Sequence, residues 1–148
     1  MKKSNLLKQA PAPEDLADAL VPVAFTTMAV LNRLGAENDL SLTLVRVLGI
    51  LLDRRPRITE LADYLGLEKQ TMSGLIARAE KKGLLARAPN ADDGRATDVF
   101  LTSEGVRLVK QLRSQMQQAL APLFAPLDAS DRHRLQELLW RLLEARKE

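Results

Sequence analysis

Cysteine is absent from this 148-residue sequence. That single absence removes disulfides, thiolate metal sites, thiol redox sensing and cysteine nucleophiles together. Histidine occurs once, as His133 between Arg132 and Arg134, which disfavours imidazole metal clusters and histidine-dependent triads. His133 reads most simply as solvent-exposed. No apolar run approaches the ~18 residues expected of a bilayer span. The basic start Met1-Lys2-Lys3-Ser4-Asn5 is followed only by Leu6-Leu7 before Lys8-Gln9, so no signal-peptide core forms and a cytoplasmic location is expected. Phosphate-binding glycine loops, metal-ligand spacings and nucleophile–base pairs are also missing. The expectation is a chain that is not an enzyme, with no catalytic residue, metal or cofactor.

What is present suits one globular domain. The chain is 46% hydrophobic and 28% charged, and a domain of this size buries roughly 70% of its unfolded surface. The net charge of +3 is unevenly spread. Residues 54–95 hold nine basic and six acidic groups, whereas residues 1–53 hold five and six, and residues 96–148 eight and seven. A basic excess centred in the chain permits nucleic-acid binding. It is equally the mark of an ordinary solvated face.

Residues 1–12, running into Ala10-Pro11-Ala12-Pro13, read as a mobile arm, since prolines block regular hydrogen bonding. Helical spacing then carries Leu16, Leu20, Val23, Thr27 and Leu34 in a helix from Glu14 to about Ala36, with Pro22 expected to kink it or mark an irregular entry. Ser41 is a cap for a second helix over Leu42–Asp53, ended by Arg54-Arg55-Pro56. Two short helices follow, at Ile58–Leu65 and Lys69–Lys82, with Gly83 closing the second. Leu84–Ala88 and Thr97–Leu101 read as a hairpin turned at Asp93-Gly94. Thr102 caps a long helix bent or ended by Pro122 and Pro126, and Asp128 starts the last one. The predicted fold is mostly α with a small β-hairpin wing, in the order α-α-α-α-β-β-α-α.

The informative stretch runs from Ile58 to Arg95. Ala62 is small where two short helices cross, Gly66 allows the positive φ of a sharp turn, and Met72 opens a buried face continued by Leu75, Ile76 and Ala79. These positions alone also fit an ordinary helical hairpin. The outward residues Lys69, Gln70, Thr71, Ser73 and Gly74 are short or polar, a face that fits a major groove ~12 Å wide. Gln70 is suited to adenine N6/N7 and Thr71 to a thymine methyl or a phosphate. Lys81 and Lys82, at the far end, suit phosphate contact. Arg95 at the hairpin tip suits a narrow minor groove, with Asp92 and Asp93 bonding the turn or orienting the guanidinium. A solvated acidic–basic hairpin is the plainer alternative.

Ile58-Thr59-Glu60-Leu61-Ala62-Asp63-Tyr64-Leu65-Gly66, then Glu80-Lys81-Lys82-Gly83-Leu84, and Asp93-Gly94-Arg95 with Leu101-Thr102-Ser103-Glu104-Gly105 resemble the MarR family of bacterial regulators. The resemblance covers nearly the whole chain, and the D-x-R wing followed by L-T-x-x-G is its most specific part. It implies a dimeric winged helix-turn-helix repressor, commonly released from DNA by a small aromatic or carboxylate ligand. Carried over residue by residue, DNA contacts fall on Lys69, Gln70, Thr71, Ser73, Gly74, Arg78 and Arg95, with Asp93 and Gly94 supporting the wing. Ala79 departs from the family's larger apolar residue, which implies thinner packing behind the recognition helix. Peroxide sensing through cysteine, used by one branch, is impossible here.

The implied division is a DNA-binding region at 38–102 and a dimerisation region from 13–37 with 103–148. Apolar residues at both chain ends (Leu6, Leu7, Leu16, Leu20, Leu120, Leu123, Phe124, Leu127, Leu135, Leu139, Trp140 and Leu143) exceed what a ~60-residue winged helix needs. Interlocking with a second copy would present two recognition helices to the half-sites of an inverted repeat in double-stranded DNA, ~34–36 Å apart. A monomer capped by its own helices is the alternative. The family analogy places an effector pocket between the first two helices and the long fifth one, with Phe25, Met28, Asn32 and Arg46 as candidate lining. Arg46 interrupts an apolar helix and can pair with a ligand carboxylate. Snorkelling, or pairing with Glu37 or Asp39, serves it equally well. A winged helix used for protein docking would instead expose aliphatic or aromatic anchors on its recognition face.

Overall fold

The computed structural model describes residues 11–147. Met1–Ala10, including Leu6 and Leu7 and most of the expected arm, lie outside the described residues, as does Glu148. Six helices and one hairpin follow in the predicted order. They are α1 (Leu16–Glu37), α2 (Leu42–Ile50), α3 (Ile58–Leu65), α4 (Lys69–Lys81), β1 (Leu85–Pro89), β2 (Thr97–Leu101), α5 (Ser103–Phe124) and α6 (Ala129–Glu144), with a 3-10 turn at Ala145–Lys147.

α1 begins two residues later than Glu14, because Asp15 is its cap and accepts from the Asp18 amide at 2.9 Å. Pro22 neither ends nor interrupts it. The carbonyl that loses a partner there belongs to Asp18, in an exposed first turn that water can satisfy. By length and composition α1 is apolar enough to cross a bilayer, with a mean hydropathy of 1.4 over an 18-residue window. This corrects the expectation that no stretch approaches a span. Thr26, Thr27 and Asn32 interrupt the apolar run without adding charge, and Arg33 is the one charge between Asp18 and Glu37. Only 11% of that window is buried.

α2 ends at Ile50 rather than Asp53. The chain must leave the helix early because the segment before α3 runs beside the hairpin: the Val99 amide donates to Pro56 O at 3.0 Å, and Arg57 bridges Asp98. Thus the wing is fastened to the α2–α3 link. β1 starts one residue later than predicted, since the Leu84 amide is already bonded to Ala79 O at 3.1 Å. The strands pair antiparallel from Leu85↔Leu101 to Pro89↔Thr97. Between them, Asp93-Gly94 is not the tight hairpin turn expected, because Gly94 does not adopt positive φ. The tip is instead a longer loop, closed by Asn90 N–H to Ala96 O at 2.9 Å and Ala96 N–H to Asp93 O at 3.0 Å.

The core lies inside the winged unit. Val47, Leu48, Leu61, Met72, Ile76, Leu85 and Val99 are fully buried, drawn from α2, α3, α4 and both strands. α5 closes this core with Val109 and Leu112, and α1 packs on α5 and α2. α6 differs. None of its residues is buried, and Leu135, Leu138, Leu139, Trp140, Leu142 and Leu143 are all exposed.

Candidate nucleic-acid interface

Local rules build the helix-turn-helix. The Glu60 carboxylate accepts the Arg57 amide at 3.0 Å and secures the start of α3. Gly66 takes the left-handed conformation, φ 66° and ψ 32°, where a side chain would be strained. The Leu67 amide then reaches back to Ala62 O at 2.9 Å, completing the turn into α4.

α4 is divided lengthwise. Met72, Leu75, Ile76 and Ala79 face the core. Lys69, Gln70, Thr71, Ser73 and Arg78 are exposed, and Gly74 is half-exposed. This polar face is therefore not walled in by its own chain. Its exposed positions carry no aromatic or aliphatic anchor, the feature a protein-docking face would present. The Arg78 guanidinium lies back along the helix, donating through Nε to Gly74 O at 3.3 Å. Ala79 is fully buried. The far end of the helix corrects one expectation: Lys82 is engaged within the chain, donating to Asp39 O at 2.6 Å and Asp39 Oδ2 at 2.8 Å. Its hydrogen bond and charge hold the Asp39 carboxyl below the ordinary carboxylate value. Glu80 pairs with Arg87 of β1 at 2.9 Å and raises that guanidinium's pKa, so α4 is also tied to the wing's first strand.

At the wing tip the Arg95 side chain is 95% exposed. Asp93 Oδ1 accepts both the Arg95 amide at 3.1 Å and Arg95 Nε at 3.4 Å, so it bonds the turn and orients the guanidinium together. Gly94 stands beside them, exposed, with open space where a Cβ would go.

Several residues here escaped sequence reasoning. Asn90 organises the loop, its Oδ1 accepting from the Asp92 and Asp93 amides, each at 3.0 Å. An asparagine two residues before an acidic turn is a recognisable signal for this arrangement. Asp98 is buried and lies against Asn90 and Arg55, contacts that join distant parts of the chain and leave no local pattern.

A second concavity of about 680 Å³ opens between α1, α2 and α5. Met28 and Arg46 line it, together with apolar side chains from all three helices and Arg113, which sequence reasoning missed. Phe25 and Asn32 do not: both are exposed and lie further round α1 from Leu31 and Leu34 than Met28, which is itself exposed at the pocket's rim. Arg46 pairs with neither Glu37 nor Asp39. Its guanidinium sits 5.7 Å from the centre of the Tyr64 ring. His133 is exposed, 3.2 Å from Glu137. Among the described residues no group of three or more His, Cys, Asp or Glu is arranged to hold a metal.

Comparison with known proteins bears on this geometry. Residues 38–96, the helix-turn-helix and the wing loop, match the model of the MarR family. The winged helix-turn-helix is where this chain is similar to the MarR family. The chain is 26% identical over 110 residues to the HTH-type transcriptional repressor IacR of Pseudomonas putida. That match covers 74% of the chain and 66% of the relative, so the chain spans just under two thirds of that curated protein's length. In fold it resembles apo MarR from E. coli, with a TM-score of 0.74, 23% identity, and coverage of 90% of this chain and 99% of the other. It also resembles MepR of S. aureus in a MepR–DNA complex, with a TM-score of 0.68, 19% identity, and the same 90% and 99% coverage. The winged helix-turn-helix fold of this chain is thus shared along almost the full length of both solved structures.

Proposed function

We propose that this chain is a member of the MarR family and a homodimeric, sequence-specific DNA-binding transcriptional regulator of the bacterial cytoplasm, acting as a repressor that a small effector releases. The observation that carries this reading is the exposed polar face of α4, with Lys69, Gln70, Thr71 and Ser73 outward on a helix held rigidly by a buried opposite face. In the major groove Gln70 reads a base edge and Lys69 the groove entrance, while Arg95 enters the adjacent minor groove. Arg78 reaches phosphate by leaving its own helix backbone. Residues 38–102 form the DNA-binding region. The relative IacR is named as a repressor, and MepR, similar in fold, has been captured on DNA.

Dimerisation through 13–37 with 103–148 follows from what the single chain leaves uncovered. α6 exposes six large apolar side chains and α1 exposes Leu16, Leu20, Val21, Val23, Phe25 and Met28. Aliphatic and aromatic surface on this scale is covered in water by association, and a second copy supplies a matching face through two-fold symmetry. The same pairing accounts for an α1 apolar enough to resemble a membrane span. For the effector, the pocket between α1, α2 and α5 offers an apolar cavity with Arg46 and Arg113 on its wall, suited to a small aromatic or carboxylate ligand. No chemistry beyond binding is required, and the chain acts without catalysis.

Selection of bound duplexes from a random DNA pool tests the reading. An inverted repeat with half-site centres roughly ten base pairs apart is the expected product. Enrichment of no sequence, or of an asymmetric single site, would overturn it.

A further inference from the structure

Asp98 is the one buried charged residue among the described residues, 7% exposed and next to the fully buried Val99 on β2. A carboxylate withdrawn from water needs compensating partners, and its partners form a directed chain. Oδ2 faces Arg55 Nε at 3.6 Å, and the Arg55 guanidinium stacks on Phe100, 4.1 Å from the ring centre. Oδ1 accepts from Asn90 Nδ2 at 2.8 Å. An ionised carboxylate only accepts hydrogen bonds, so it draws the Asn90 NH2 toward Asp98 and turns the oxygen to the loop, where Arg57 Nη2 also donates to it at 3.5 Å. That oxygen gathers the Asp92 and Asp93 amides, and Asp93 in turn holds Arg95 through its backbone and its guanidinium.

We propose that Asp98 is a positioning residue for Arg95, acting through Asn90 and Asp93 to set the wing loop in the shape that aims the arginine at DNA. The proposal rests on the reading of Arg95 as the wing's DNA contact. Asp98 itself is buried on β2 and acts through its neighbours. Because Asp98 also bridges Arg57, and Val99 beside it bonds Pro56, the arginine's aim is referred to the α2–α3 link and hence to the helix-turn-helix. Without this chain the loop would keep its closure at Asn90 and Ala96 but lose the orientation of its tip.

The test measures affinity of the full chain for its selected duplex across a salt series, using Asp98→Asn, Arg95→Ala and the double variant. An asparagine at 98 can offer oxygen or NH2, so the Asn90 amide loses the acceptor that only a carboxylate guarantees and keeps Arg57 as its remaining side-chain partner. Simple charge arithmetic predicts that removing a carboxylate tightens DNA binding. Positioning predicts the opposite sign: roughly three- to tenfold weaker binding, the scale of one lost charge-assisted contact. It further predicts a salt slope reduced to that of Arg95→Ala, and a double variant no weaker than Arg95→Ala alone. Affinity at or above wild type for Asp98→Asn, or losses that multiply in the double variant, would overturn the proposal while leaving the wing reading intact. If Arg95→Ala binds as wild type does, the wing reading itself fails. Should Asp98→Asn lose fold by circular dichroism, Asn90→Ala in the half-buried loop carries the same test with the same expected pattern.

Discussion

Gly105→Ala is the substitution for which the structure demands the largest penalty from the smallest change. A Cβ at this position would lie 1.9 Å from the Leu84 carbonyl oxygen, 2.9 Å from its carbon and 3.2 Å from Leu101 Cδ2. Carbon and oxygen approach to roughly 3.3 Å at closest, so α5 would have to retreat from the strand entry by about 1.4 Å, given the 1.9 Å contact. The obstacle is backbone, which cannot rotate away. That retreat breaks the bonds that dock α5: Thr102 N–H to Leu84 O at 3.1 Å and Thr102 Oγ1 to Gly83 O at 2.5 Å. Overpacking costs about 1–3 kcal/mol, a lost hydrogen bond about 1 kcal/mol, and the helical preference of alanine returns about 1 kcal/mol. With two bonds lost, the net loss is about 2–4 kcal/mol, or roughly 4–16 °C in melting temperature for a chain of this size. Thermal melting followed by circular dichroism at fixed protomer concentration reads it. Gly49→Ala is the control, because nothing lies within 4 Å of its Cβ position in α2 and a small rise is expected. A Gly105→Ala protein melting with the wild type would refute the close approach of α5 to Leu84.

Gln70→Ala should relax discrimination at one or two base pairs by about 1–3 kcal/mol each while sparing nonspecific affinity, measured with single-mismatch duplexes; an equal loss on every sequence would remove Gln70 as a base reader. Arg46→Ala should leave operator binding unchanged in the absence of ligand yet raise the concentration of an aromatic carboxylate needed to release DNA. A retained response would discard Arg46 from the pocket's function. Leu139→Glu places a charge in the exposed apolar face of α6 and should shift sedimentation at micromolar concentration from dimer to monomer, with DNA affinity falling in parallel. A wild-type chain that already sediments as a monomer would decide for a single-chain cap and against the paired reading.

Local physical chemistry made most of the winged unit legible. Gly66 and Gly83 do adopt positive φ where the helices needed to turn, and Ser41, Thr102 and Asp128 are the caps they promised to be. The division of α4 into a core face and a polar face is a matter of 3.6-residue periodicity alone. These features depend on neighbours within a few positions, so the order of residues already contains them.

Tertiary contacts decided the rest. Asp93-Gly94 carries a hairpin-turn signal, yet Asn90, held by Asp98, imposes a different loop. α2 stops short because Pro56 and Arg57 must run beside β2. Lys82 suits a phosphate by its place on the helix, but Asp39, forty-three residues earlier, takes it. Phe25 and Met28 share one helix, and only the packing of α1 on α2 and α5 turns Met28 to the pocket and leaves Phe25 outside. Except for Asn90, whose loop partners lie two and three residues on, the deciding partner is distant in the chain, and its identity is fixed by a fold that pairs residues no local pattern links. Periodicity and caps set what each segment becomes; which polar groups remain available on its surface is set by what the folded chain brings against it.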